Sequence, residues 1–235
     1  MAEDNKQFPI VIVPGNGYSF GHMKKFIYFL QSQPWCDYVV YIELLENLYE
    51  DISYNRLKPE SYSKYIYDRL PDKTAKYIFY GTSMGCYHIQ NFIKEYSDNV
   101  HSVIWLEPTM CGGDFKLLKQ FEEGRGNGQW LQTLYDIPYD IKSLPSNEKV
   151  IDIAISTDLD NDFDINIPIG IIYTFFRNDG EIYTMNQLSA KDSFIDELER
   201  KGHHIEFEEI KAPHSADIFP EFFPLILNMI VKVSF

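Results

Sequence analysis

Lys76-Tyr77-Ile78-Phe79-Tyr80-Gly81-Thr82-Ser83-Met84-Gly85-Cys86-Tyr87-His88-Ile89-Gln90-Asn91-Phe92-Ile93 is the stretch that decides the fold. It reads as a short β-type run, a Gly-x-Ser-x-Gly turn and an amphipathic helix, in that order. Five matching residues alone are a weak signal, and the flanks make the difference. The motif has a mechanical reason only between a strand and a helix, where the glycines let the two backbones approach closely. The serine then stands at the tip of a sharp turn, its hydroxyl above the sheet and at the positive end of the helix. The competing reading is a glycine-bracketed loop holding an ordinary serine.

Outward from this stretch, strand-like and helix-like segments alternate. Phe8 to Val13 is apolar and β-branched and stops at Pro14-Gly15-Asn16-Gly17; Phe20, Met23, Phe26, Ile27 and Leu30 then recur at helical spacing. Tyr38 to Ile42 reads as a second strand, and Pro59 opens a helix carrying Tyr62, Tyr65, Ile66 and Leu70 on one side. Val100 to Leu106 is a further strand. Ile167 to Phe176 reads as a buried strand, and Ser189 as the cap of a helix with Phe194, Ile195 and Leu198 inside and a stop at Lys201-Gly202. Ile205 to Lys211 alternates like an edge strand, and Pro220 or Pro224 begins a last helix. Such alternation predicts an α/β protein, a mostly parallel sheet with helices on both faces.

At 235 residues the chain suits a single domain, residues 1–235, with 45% apolar and 24% charged residues. A net charge of −14 argues against nucleic acid and against anionic membrane surfaces. No apolar stretch is long enough for a membrane span, so no stable membrane insertion is expected. Cys36, Cys86 and Cys111 are odd in number and lack metal-type spacing, and the first residues resemble no secretory signal. A cytoplasmic protein with reduced thiols is the simplest account.

A serine hydroxyl needs a neighbouring base to become a nucleophile, and the base needs an orienting carboxylate. In a doubly wound sheet these groups sit on loops leaving the C-terminal ends of strands. Of the six histidines, His214 alone follows the last strand, in Ala212-Pro213-His214-Ser215-Ala216-Asp217, and it is the expected base. His22 stands near the first strand's loop, where it could touch substrate. Asp179, after the strand ending near Thr174, is the expected acid, with Glu181, Glu107 and Asp217 as rivals. The backbone N–H of Met84 is the first expected oxyanion donor, and Asn16 or Gly17 the second; the same Asn-Gly pair is also an ordinary turn signal.

With these residues in place the chain resembles the α/β-hydrolase superfamily, in the order Ser83, Asp179, His214, in the serine turn and in the early Pro14-Gly15-Asn16-Gly17 loop. The opening Ile10-Val11-Ile12-Val13-Pro14-Gly15-Asn16-Gly17 is also similar to small serine hydrolases of the retinoblastoma-binding-protein-nine type. The resemblance implies the α/β-hydrolase fold, a parallel central sheet of about seven or eight strands, and hydrolytic chemistry through a Ser-His-Asp triad. Two features depart from the pattern: Pro-Gly-Asn-Gly replaces the more usual His-Gly of the oxyanion loop, and the acid strand ends in Phe175-Phe176-Arg177-Asn178-Asp179.

Residues 109–147 fall where this fold inserts a small cap. Their apolar residues, among them Phe115, Leu118, Trp130 and Leu134, would line an acyl pocket or form the cap's own core, with Gly124 to Gly128 as a hinge. Asp158 to Asp164 has the acid spacing of a calcium loop, but Phe163 stands at its glycine position and Ile169 at its glutamate position, so a solvated loop is expected and no metal. The expectation is a serine esterase or thioesterase for a small or medium acyl group, taking a small-molecule substrate and no cofactor. The alternative is a weakly active or inactive hydrolase fold that serves as a protein-binding module, its partner unknown.

Overall fold

β1 (Phe8–Val13), α1 (Phe20–Gln31), β2 (Cys36–Tyr41), α2 (Pro59–Arg69), β3 (Tyr77–Thr82), α3 (Met84–Tyr96), β4 (Val100–Leu106), β5 (Ile169–Thr174), β6 (Ile205–Ile210) and α4 (Phe223–Ser234) follow one another along the chain. The computed structural model describes residues 7–15, 18–43, 59–108, 167–174, 195, 198–213 and 215–235. The 109–147 insertion, the 158–164 acidic loop and the Ser189 cap lie outside the described residues.

The strands form one sheet in the order β2-β1-β3-β4-β5-β6, and every pair is parallel. The described residues supply six strands, against the seven or eight that the resemblance implied. β1 and β3 are buried along their whole length, as expected of apolar runs covered on both faces. The two-residue period divides their side chains between two cores. Val11, Val13, Tyr77 and Phe79 pack with Tyr62 and Ile66 of α2 and with Ile89 and Phe92 of α3. Ile10, Ile12, Ile78 and Tyr80 pack on the other face with Met23 and Phe26 of α1 and Ile226 and Ile230 of α4. Helices thus cover both faces.

The apolar pattern misjudged element ends more than elements. β3 runs on to Thr82, because Gly81 pairs with Trp105 and Thr82 with Leu106 of β4. β2 begins two residues earlier than its β-branched run, since Cys36 is buried opposite Phe8. Both prolines near the C-terminus have a place: a 3₁₀ turn spans Pro220–Phe222, and Pro224 lies in the first turn of α4, where a missing N–H costs nothing. Among the described residues, no helix is long and apolar enough to cross a membrane.

Candidate active site

The chain leaves β1 for β2 on one side and then returns to β3 on the other side of β1. Such a reversal opens a crevice outside the C-terminal ends of β1 and β3, where open α/β sheets place their ligands. Ser83 stands there, directly after β3 and directly before α3. Its backbone lies at φ 51° and ψ −122°, which a residue bearing a Cβ rarely adopts, and it is half-buried. Such strain persists only where the surroundings over-determine it, and it clusters at functional sites.

Those surroundings are visible. The Ser83 N–H donates to the Leu106 carbonyl at 2.9 Å, which fastens the turn to the end of β4, and the Cys86 N–H donates to the Ser83 carbonyl at 3.0 Å. A methyl group on Gly85 would lie 2.0 Å from the Val13 carbonyl oxygen, so only glycine lets α3 start this close to the end of β1. Gly15 faces the serine itself: a Cβ there would sit 3.2 Å from Ser83 Cβ and 3.9 Å from its Oγ. The early loop and the serine turn therefore meet at the switch point. Met84 is the first residue of α3, so its N–H has no acceptor four residues back in the helix. Asn16 and Gly17 lie outside the described residues, although the Tyr18 N–H donates to the Gly15 carbonyl across them at 3.2 Å.

Two fully buried carboxylates flank the turn. Glu107 follows β4 with φ 51°; Ser83 is the other non-glycine residue at positive φ among the described residues. Its own N–H donates to the Ile172 carbonyl at 2.8 Å, and its Oε1 accepts the Thr174 N–H at the last residue of β5. Asp217 sits in the 3₁₀ turn Ala216–Ile218, and its Oδ2 accepts the Tyr80 hydroxyl at 3.2 Å and the Thr82 hydroxyl. Burial first, and then Asp217, pushes the Tyr80 hydroxyl well above its ordinary range, so it remains a proton donor. Burial, then Asp217 and Glu107, likewise pushes the Cys86 thiol well up, so it stays neutral and Ser83 is the nucleophile candidate of this turn. Nothing in the sequence marked Asp217 as a partner of β3; the trace it leaves is a Tyr-x-Thr pair on one face of a strand.

Five histidines have described positions. His101 is the second residue of β4 and His203-His204 precede β6, so all three stand at the end of the sheet opposite Ser83. His88 is fully buried, stacked on Tyr62 at 3.9 Å, and burial alone pushes it down to about 3. His22 Nδ1 accepts the Ser19 N–H at 3.1 Å, and thus caps the start of α1. The sixth, His214, lies outside the described residues, as do Asp179 and Glu181; Pro213 and Ser215 bracket His214 after β6, the last strand in sequence.

A parallel sheet in this order, with a strained serine turn between a central strand and its helix, is the α/β-hydrolase fold. No protein-family model and no curated protein matches the chain by sequence. Solved structures do match its fold. The α/β-hydrolase MGS-MChE2, from the metagenome of lagoon sediments at Mar Chica, Morocco, is 19% identical with a TM-score of 0.59, over 98% of this chain and 93% of that one. An extracellular α/β-hydrolase from a Paenibacillus species is 17% identical with a TM-score of 0.58, over 96% of this chain and 98% of that one. The carboxylesterase CesB of Bacillus subtilis is 13% identical with a TM-score of 0.53, over 96% of this chain and 84% of that one.

Proposed function

We propose that the chain is a serine hydrolase cleaving a carboxylic ester or thioester of a small or medium acyl group. The observation that carries this is Ser83, held at φ 51° between β3 and α3 with Gly15 against it. Carboxylesterases among the structures of like fold support the same reaction class. The proposal treats residues 1–235 as one domain with 109–147 as its cap, in a cytoplasmic setting.

In this reading Ser83 Oγ attacks the substrate carbonyl while His214 takes its proton, and Asp179 holds the imidazole. The oxyanion accepts the N–H of Met84 and that of Asn16 or Gly17, each donor contributing about 2.7–4 kcal/mol. His214 then gives the proton to the departing alcohol or thiol, leaving an acyl-Ser83. Water, deprotonated by the same imidazole, cleaves that ester and restores the serine. The proposed machinery needs no metal or organic cofactor.

Labelling with a fluorophosphonate tests this directly. Wild-type protein is expected to label at Ser83 and to hydrolyse acyl esters, and Ser83→Ala to lose both, with turnover down about a million-fold. Folded wild-type protein that leaves Ser83 unlabelled refutes the proposal and favours a protein-binding module on the same fold. Ester substrates of graded chain length then define the acyl preference.

A further inference from the structure

A fully buried carboxylate is costly unless something is gained from it, and Asp217 is fully buried. The turn that carries it already packs well through apolar groups: Ala216 is buried and Ile218 lies against the α1 and α4 core. An apolar side chain would fill the same volume. What a carboxylate adds is directional bonding, and both of its resolved donors come from one strand. Tyr80 and Thr82 lie two residues apart on the same face of β3, and both hydroxyls converge on Asp217 Oδ2. Thr82 is the residue before Ser83. Asp217 is three residues beyond position 214, a length of chain that spans at most about 10 Å.

We propose that Asp217 is a positioning residue: its carboxylate ties the turn after position 214 to the strand that delivers Ser83, and so holds base and nucleophile in register. The inference rests on the hydrolase reading above. It gives Asp217 a task other than that of triad acid, through the two β3 hydroxyls that Oδ2 accepts on the α1 and α4 side of the sheet. The tether is needed because the two ends come from distant parts of the chain. Residues 80 and 217 are 137 positions apart, and no backbone hydrogen bond of the sheet joins β3 to β6 directly.

Three variants test this: Asp217→Ala, Asp217→Asn and Thr82→Val, each read by circular dichroism, fluorophosphonate labelling of Ser83, and ester turnover. A small displacement of a catalytic group costs on the order of a hundredfold, so D217A is expected to label and turn over about 100-fold more slowly, with KM changed by no more than about threefold. D217N keeps an oxygen for the two hydroxyls and is expected to recover at least about tenfold of that loss. Folded D217A working at the wild-type rate overturns the proposal. So does D217N no better than D217A, since the charge and not the tether would then matter. If D217A fails to fold, T82V decides: a fall of about tenfold supports the tether, and an unchanged rate overturns it. Wild-type protein that never labels refutes the hydrolase reading itself, whereas wild-type labelling matched by D217A refutes Asp217 alone.

Discussion

Replacing Ser83 by alanine and, separately, by glycine isolates the backbone strain from the loss of the hydroxyl. At φ 51° and ψ −122°, any residue with a Cβ is held in a sparsely populated region, at a cost of about 1–3 kcal/mol. Glycine escapes that cost but loses about 0.5–1 kcal/mol more backbone entropy on folding than alanine. The difference leaves Ser83→Gly more stable than Ser83→Ala by up to about 2.5 kcal/mol. For a chain of this length each kcal/mol raises Tm by about 2–4 °C. Parallel thermal and urea unfolding measures the gap, with unchanged m-values showing that the unfolded state is not its source. Both variants lack the nucleophile, so both are expected to be inactive. A glycine variant no more stable than the alanine variant refutes the idea that the fold stores strain at the serine.

Further predictions follow the same contacts. Gly85→Ala puts a methyl 2.0 Å from the Val13 carbonyl oxygen and 2.6 Å from that of Pro14, so it is expected to cost about 3 kcal/mol or more; an unchanged urea midpoint counts against the close approach of α3 to β1. Among the described residues neither ring nitrogen of His88 has a hydrogen-bond partner, and burial holds its folded-state value near 3, below the unfolded 6.5. The unfolded chain therefore takes up a proton first as pH falls, and stability declines between about pH 6.5 and pH 3, by about 2–3 kcal/mol at pH 4.5. His88→Phe keeps the ring on Tyr62 and should flatten that part of the urea-midpoint profile; the same slope in both proteins excludes His88 as its origin. Asp179→Asn is expected to lower turnover about ten-thousand-fold, and Glu107→Gln, whose amide oxygen still accepts the Thr174 N–H, by no more than about tenfold. The opposite ranking would move the acid's role to Glu107.

The strands and helices were legible wherever one kind of residue repeats at one period. Phe8 to Val13 is an unbroken apolar run and Val100 to Leu106 is apolar apart from His101 and Ser102, and each became a strand with the expected ends. Where a strand's end depends on its neighbour, the pattern fell short: Gly81 disfavours a strand and ends the apolar run, yet pairing with β4 carries β3 on through Gly81 to Thr82. His22 shows the limit for single side chains. Proximity to the β1 loop made it a candidate substrate contact, and the fold adds a bond that the sequence reading did not anticipate, from the Ser19 N–H to its Nδ1.

The sequence by itself determined the order of the described elements and the place of the serine turn, because alternating periodicity and a glycine-bracketed serine are local properties of consecutive residues. It could not determine the strain at Ser83 and Glu107, the burial of Glu107 and Asp217, or the meeting of Gly15 with the serine. Each of these depends on residues brought together from far along the chain. Val13 lies opposite Gly81 only because β1 and β3 pair in parallel, and Asp217 reaches Thr82 across 135 positions. Local preference selects strands and helices residue by residue. The position of a buried charge or a strained backbone is set by the packing of whole elements, and that is decided only when the sheet closes around them.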